Sequence, residues 1–246
     1  MTKHKPILIV LHQETSTPGR VGQKLRARGY PLDIRKPRFG CELPSTLADH
    51  SGAVVFGGPM SVYDDEDFLR VETAWLDVPL REKAPFLGIC LGAQMLAQHL
   101  GASVAPDPGG QVEVGYYPIE PTDMGRKLMN WPEIVYQWHR DGFDLPGGAV
   151  RLATGSGAFK EQAFQVGPSA FGLQFHPELT TAMTYRWTVK GAERMACPGA
   201  QPRAKHLEGR LLYEPAVGRW LDAFLDLWLV SGASGRPALA TAQAAA

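Results

Sequence analysis

Cysteine is scarce in this chain. The three present, Cys41, Cys90 and Cys197, are far apart and odd in number, which argues against a disulfide framework, and no C-x-x-C pair offers a zinc site. Charge of one sign is missing too. Twenty-five basic residues balance 25 acidic ones with no basic stripe or acidic tail, so neither nucleic acid nor an anionic membrane is expected as the main partner. No apolar run approaches the roughly 20 residues a membrane helix needs. The run near the start, Ile7 to Leu11, is shorter than the core of a signal peptide and has no small-residue cleavage site after it. A soluble, reducing, cytoplasmic setting is the expectation. A G-x-x-x-x-G-K-[ST] phosphate loop and internal repeats are both absent.

What the chain does have is apolar material, 44% of 246 residues, enough for a large core. Ile7–Leu11 reads as a strand covered on both faces. Thr17-Pro18 offers a cap and first-turn proline to a helix from Gly19 to Arg28. Leu32–Arg35 and Ala53–Phe56 read as strands, Phe68–Leu80 as a helix, and Phe86–Ile89 as a fourth strand before the next helix. This alternation predicts an α/β fold with a mostly parallel central sheet and helices on both faces. Short runs at 112–119, 134–138, 150–154, 162–166 and 170–175, divided by Gly, Pro and Asp turns, predict mostly antiparallel strands in the second half. Residues 182–189 and 217–230 read as helices, 197–209 as an irregular surface loop, and 231–246 as a disordered tail after a single domain spanning 1–230.

The chemistry concentrates in Gly88-Ile89-Cys90-Leu91-Gly92, where a buried strand turns straight into a helix. Two flanking glycines clear a turn too tight for side chains, the logic of a nucleophile elbow with cysteine in place of serine. The helix N-terminus favours thiolate over thiol, and the free N–H of Leu91 points at the same spot, ready for an oxyanion. Gln94 follows one helical turn later and can face whatever the thiol attacks. Gly57-Gly58, at the end of another strand, can be a neighbour. In Phe175-His176-Pro177-Glu178, proline holds His176 extended, so the 176 and 178 side chains share a side and the carboxylate can steady the imidazole. His12 follows the first strand and could reach the site, but a polar residue at a strand end explains it as well; His99 and His206 are expected to face solvent. Asp64-Asp65-Glu66-Asp67 reads as a helix-start charge complement rather than a metal site, and Trp131, Trp138 and Trp187 as packing.

Phe86–Gln94, Gly57-Gly58-Pro59-Met60-Ser61-Val62 and Phe175-His176-Pro177-Glu178 together resemble the class I (triad) glutamine amidotransferase family, over roughly residues 6–190. The segment Trp138–Pro146 is similar to free-standing, GMP-synthase-amidotransferase-like members. The resemblance implies a flavodoxin-like fold and a glutaminase without metal or cofactor. Cys90 would be the nucleophile, His176 the base and Glu178 its orienter. The N–H groups of Gly58 and Leu91 would form the oxyanion hole, with Gln94 and backbone near His139 and Arg140 binding substrate. Members of this family pass ammonia to a synthetase, and the stretch after His176 is too short to be one. Either a separate synthetase chain receives the ammonia, or the protein acts alone on a γ-glutamyl compound. A regulatory module that keeps the fold without the activity is the third reading.

Overall fold

A computed structural model describes residues 4–232. In chain order its elements are β1 (Ile7–Val10), α1 (Gly19–Ala27), β2 (Leu32–Arg35), β3 (Gly52–Val55), α2 (Asp67–Trp75), α3 (Asp77–Glu82), β4 (Phe86–Ile89) and α4 (Leu91–His99). There follow β5 (Val104–Pro106), β6 (Glu113–Pro121), α5 (Asp123–Leu128), β7 (Ile134–His139), β8 (Asp141–Phe143), β9 (Val150–Gly155), β10 (Glu161–Val166), β11 (Ala170–Leu173), α6 (Thr181–Lys190) and α7 (Arg203–Leu229). One nine-stranded sheet runs in the order β2-β1-β3-β4-β11-β10-β9-β6-β7, and β5 and β8 form a separate pair. The five strands from β2 to β11 are parallel and the remaining four continue antiparallel. The α/β fold expected from the alternating pattern is the one observed.

The continuous apolar runs have the predicted cause. On β1, Ile7 and Ile9 join the core on one face, with Val21 and Leu25 of α1 and Val217, Leu221 and Phe224 of α7. Leu8 and Val10 join the other, with Leu69 of α2, Val78 of α3 and Met95 of α4. A two-residue side-chain period with both faces covered makes every position apolar.

Several elements differ from expectation. The helix expected over 68–80 is two, broken at Leu76, because Pro79 has no N–H and its ring would clash with the carbonyl of Trp75. Thr17 does not cap α1. Pro18 takes that position, Gly19 has φ +50°, and the N–H of Arg20 donates to the carbonyl of Glu178 at 2.8 Å. The expected loop at 197–209 ends at Pro202, where α7 begins, and that helix runs through Pro215. Its first half hides its pattern: Leu211 and Leu212 are exposed while His206, Gly209 and Glu214 are buried. Gly209 is buried because a Cβ there would meet the ring of Tyr116 at 2.3 Å. His206, expected to face solvent, is fully buried, held by the Tyr136 hydroxyl at 2.9 Å and the Gln201 carbonyl at 2.9 Å. His99 is half-buried against Asp77. Of the tail, Ser231 is buried and donates to the carbonyl of Trp228, and residues 233–246 lie outside the described residues.

Candidate active site

Cys90 joins β4 to α4 with φ 50° and ψ −105°, one of two non-glycine residues with positive φ among the described residues. Such a conformation costs on the order of 1–3 kcal/mol and persists only where the surroundings impose it. Here they do. A Cβ on Gly88 would lie 2.5 Å from the carbonyl oxygen of Gly92, and one on Gly92 would lie 2.2 Å from that of Val55. The two glycines let strand, turn and helix pack backbone to backbone, as the elbow spacing predicts.

Parallel pairing of β11 with β4, with Leu173 opposite Ile89, ends both strands side by side. The N–H of Cys90 donates to the Leu173 carbonyl at 2.8 Å, and three residues beyond Leu173 comes His176. A Cβ on Gly57 would touch both residues, at 2.9 Å from His176 Cε1 and 3.4 Å from Cys90 Cβ. Nδ1 of His176 donates to Glu178 Oε1 at 2.7 Å, and Trp187 packs edge-on against the ring at 5.0 Å. Nε2 of His176 and Oε2 of Glu178 are buried with no hydrogen-bond partner among the described residues. Glu178 is itself fixed by the Arg20 N–H, at an approach Gly19 alone permits, since a Cβ there would sit 2.2 Å from the Glu178 oxygen.

Burial by itself pulls the His176 pKa down, but attraction to the charges of Glu178 and Cys90 outweighs it and raises the value from 6.5 to about 10. The folded-state value lies above the ordinary one. The stabilisation from this ring's proton is therefore fully present below about pH 6.5 and is lost as pH rises through about 10. NMR titration of the His176 ring should place its midpoint well above 6.5, and Cys90→Ala should lower it. An unchanged midpoint would remove Cys90 from the causes.

A cavity of about 240 Å³ opens here, with Gly57, Gly58, His176, Trp138 and Trp187 in its wall. Arg186, Lys190 and Arg194 line it too. A Cβ on Gly58 would lie 3.0 Å from a methyl carbon of Leu91, so the two residues are in contact, and neither backbone N–H donates to a protein acceptor among the described residues.

The family model described as glutamine amidotransferase class-I matches residues 14–185, the stretch that holds this cluster. The chain belongs to the class I glutamine amidotransferase family. It is 30% identical over 181 residues to the glutamine amidotransferase-like protein YfeJ of Salmonella typhimurium, covering 70% of this chain and 74% of that one. It is 35% identical over 182 residues to the glutamine-hydrolysing GMP synthase of Prochlorococcus marinus, covering 72% of this chain and 33% of the synthase. The chain thus spans about a third of the length of the GMP synthases it matches. Among solved structures, a glutamine amidotransferase of Methylobacillus flagellatus superposes with a TM-score of 0.86 at 25% identity, covering 95% of this chain and 98% of that one. One from Thermotoga maritima superposes at 0.81 with 31% identity, covering 92% and 99%.

In this class I amidotransferase the side-chain nitrogen of Gln94 donates to the carbonyl of Asp141 at 2.9 Å and to the side-chain oxygen of Gln174 at 3.3 Å. His139 is buried, with one ring nitrogen at the Asp141 carbonyl and the other 3.1 Å from Glu113. Arg140 is exposed and donates to the Ser61 hydroxyl at 3.0 Å. These side chains build a buried polar network around Asp141, whose carboxylate also accepts from Ser61 at 2.5 Å and Tyr63 at 3.0 Å. The cations of α6 carried no sequence signal, because a helix with charges on one side reads like any solvated helix, whereas Trp187, read as packing, does pack on the His176 ring. The acidic run behaves as a local charge complement: Asp64 accepts from the Ser61 N–H, and Asp65 and Asp67 pair with Arg70. Among the described residues no helix is long and apolar enough to cross a membrane, and no group of three His, Cys, Asp or Glu is placed to hold a metal ion.

Proposed function

We propose that residues 1–230 act as one cytoplasmic glutaminase unit that hydrolyses the side-chain amide of glutamine through a Cys90 thioester. The observation that supports it is the buried Cys90–His176–Glu178 arrangement, with the imidazole held by Glu178 at 2.7 Å and packed beside an elbow cysteine. The Cys90 sulfur adds to the amide carbon, and the oxygen takes up the negative charge between the N–H groups of Gly58 and Leu91. One such donor is worth about 10²–10³ in kcat. His176, held protonated by its two charged neighbours, gives its Nε2 proton to the nitrogen as the C–N bond breaks and ammonia leaves. Water then adds to the thioester carbon with His176 taking its proton, the C–S bond breaks, and glutamate and the thiol are released. Gln94 serves by fixing the 139–141 corner, where backbone of His139 and Arg140 is assigned to the amino-acid end of the substrate. Ammonia would pass to a separate synthetase chain.

Arg186, Lys190 and Arg194 on the cavity wall favour a second reading, hydrolysis of γ-glutamyl conjugates whose leaving amine carries a carboxylate. Ammonia or amine release from glutamine and from γ-glutamyl dipeptides, with Cys90→Ala as control, separates the two. Faster turnover of glutamine supports the first, faster turnover of dipeptides the second, and release equal in control and wild type rejects both.

Thiol labelling tests the non-catalytic alternative. Cys90 is only 5% exposed, while Cys41 and Cys197 are half-buried, so access alone would make Cys90 the slowest to react. A poised thiolate reverses that order. Mild alkylation at about pH 6–7 followed by mass spectrometry should find Cys90 modified first, and His176→Ala should blunt the preference. Labelling of Cys90 no faster than of the other two would make the chain a regulatory module.

A further inference from the structure

Another buried imidazole–carboxylate pair lies behind the Gly57–Gly58 turn. His12 follows β1 and Glu72 sits within α2. The ring is fully buried, the carboxylate is 2% exposed, and Nε2 lies 2.8 Å from Oε2. Nδ1 lies 3.2 Å from the carbonyl oxygen of Gly57. The carbonyl oxygen and an ionised carboxylate both only accept, so with Glu72 charged both ring nitrogens carry hydrogens, Nδ1 donating to Gly57 and Nε2 to Glu72. Glu72 Oε1 is buried with no partner among the described residues. Placing such a pair in a hydrophobic layer is weak evidence for stability, since its desolvation can exceed the attraction gained. Packing therefore does not account for it.

What the pair holds is a peptide group. The Gly57 carbonyl and the Gly58 N–H belong to one trans peptide, so they point in opposite directions, and fixing the oxygen fixes the N–H. The turn lies between the two sites. The missing Cβ of Gly57 faces His176 and Cys90, and that of Gly58 faces His12 Cβ at 3.1 Å and Leu91. Two glycines in succession leave this peptide freer to rotate than any other pair would. A donor hydrogen bond on its oxygen removes that freedom, and it also polarises the N–H on the far side.

We propose that His12 and Glu72 form a positioning pair that locks the Gly57–Gly58 peptide with its N–H turned toward the oxyanion formed at Cys90. The proposal rests on the reading of Gly58 as an oxyanion donor. Loss of an interaction made only in the transition state lowers kcat and leaves KM alone. His12→Ala should therefore reduce kcat for glutamine about 10²-fold with KM within about twofold, near the cost of one oxyanion donor. Alkylation of Cys90 by iodoacetamide, a displacement without an oxyanion, should keep its rate. His12→Asn places an amide N–H near the lost Nδ1–H and should restore most of kcat. Crystal structures should show the Gly57–Gly58 peptide turned in His12→Ala and retained in His12→Asn. If His12→Ala does not fold, Glu72→Gln, which keeps the shape and removes the charge, should lose about tenfold in kcat with the same KM. Wild-type kcat in His12→Ala or Glu72→Gln, an unturned peptide in His12→Ala, or an equal loss of alkylation rate would each overturn the proposal. A wild type that cleaves no γ-glutamyl amide would reject the glutaminase reading, and the peptide orientation in the crystal structures would still decide this one.

Discussion

Cys90→Ala should lower ammonia release from glutamine by about 10⁵-fold or more, and His176→Ala should cost nearly as much. On the proposed mechanism, nucleophile and base act as one unit. Without the sulfur there is no thioester; without the imidazole, nothing protonates the departing nitrogen or takes the proton from water. The double variant should then be no worse than either single one, because each loss already stops the same two steps. Glu178→Gln should be milder, about 10²–10⁴-fold, since a side chain of the same shape still approaches Nδ1 but no longer carries the charge that helps hold its proton. Steady-state ammonia assays on the wild type and the four variants give all these ratios. Losses that multiply in the double variant would mean that Cys90 and His176 do not share a step.

A stability change of the largest kind is expected at Gly92. Its α-hydrogen points at the carbonyl of Val55, and an added methyl would lie 2.2 Å from that oxygen. Both partners are backbone, one at the end of β3 and one in the first turn of α4, so neither can step aside as a flexible side chain would. Gly92→Ala should therefore destabilise by about 3 kcal/mol or more, at the upper end of overpacking costs. With the urea dependence usual for small proteins, about 1–3 kcal/mol per molar, the unfolding midpoint would fall by about 1 M or more. Gly147→Ala is the control, because nothing lies within 4 Å of its added carbon, and it should stay within about 0.5 kcal/mol of wild type. Equal midpoints for the two would show that the elbow tolerates a side chain after all.

Most of the parallel half of the sheet was readable in the sequence because β1, β3 and β4 are buried on both faces, so Ile7–Val10, Ala53–Val55 and Phe86–Ile89 are unbroken by polar side chains. The elbow was readable for a related reason: its constraint is local, two glycines about one cysteine. The polar network around Asp141 was not, because Gln94, Ser61 and Glu113 meet there from three distant parts of the chain, and hydrogen-bond partners leave no periodicity. His12 looked like a polar residue at a strand end for the same reason, its carboxylate being on a helix 60 positions later. The start of α7 was obscured by an inverted pattern, in which leucines face water and a histidine, a glycine and a glutamate face inward. Glu214 is buried there against Arg20 and the Tyr116 hydroxyl, two contacts only the folded chain can supply.

The order of strands also sets when the cysteine becomes dangerous. β11 is the last strand in the sequence yet is seated in the middle of the sheet, between β4 and β10. Pairings across so much intervening chain bear a high closure cost and form slowly. Until this one forms, Cys90 has no imidazole beside it, its N–H lacks the Leu173 carbonyl, and the chain carries three unremarkable thiols. With Cys90 as the proposed nucleophile, a growing or half-folded polypeptide is thereby spared a reactive sulfur at the stage when stray oxidation and cross-linking would do most harm. In refolding, fast labelling at Cys90 should return only with the slowest phase, so the nucleophile reports on the completion of its own fold.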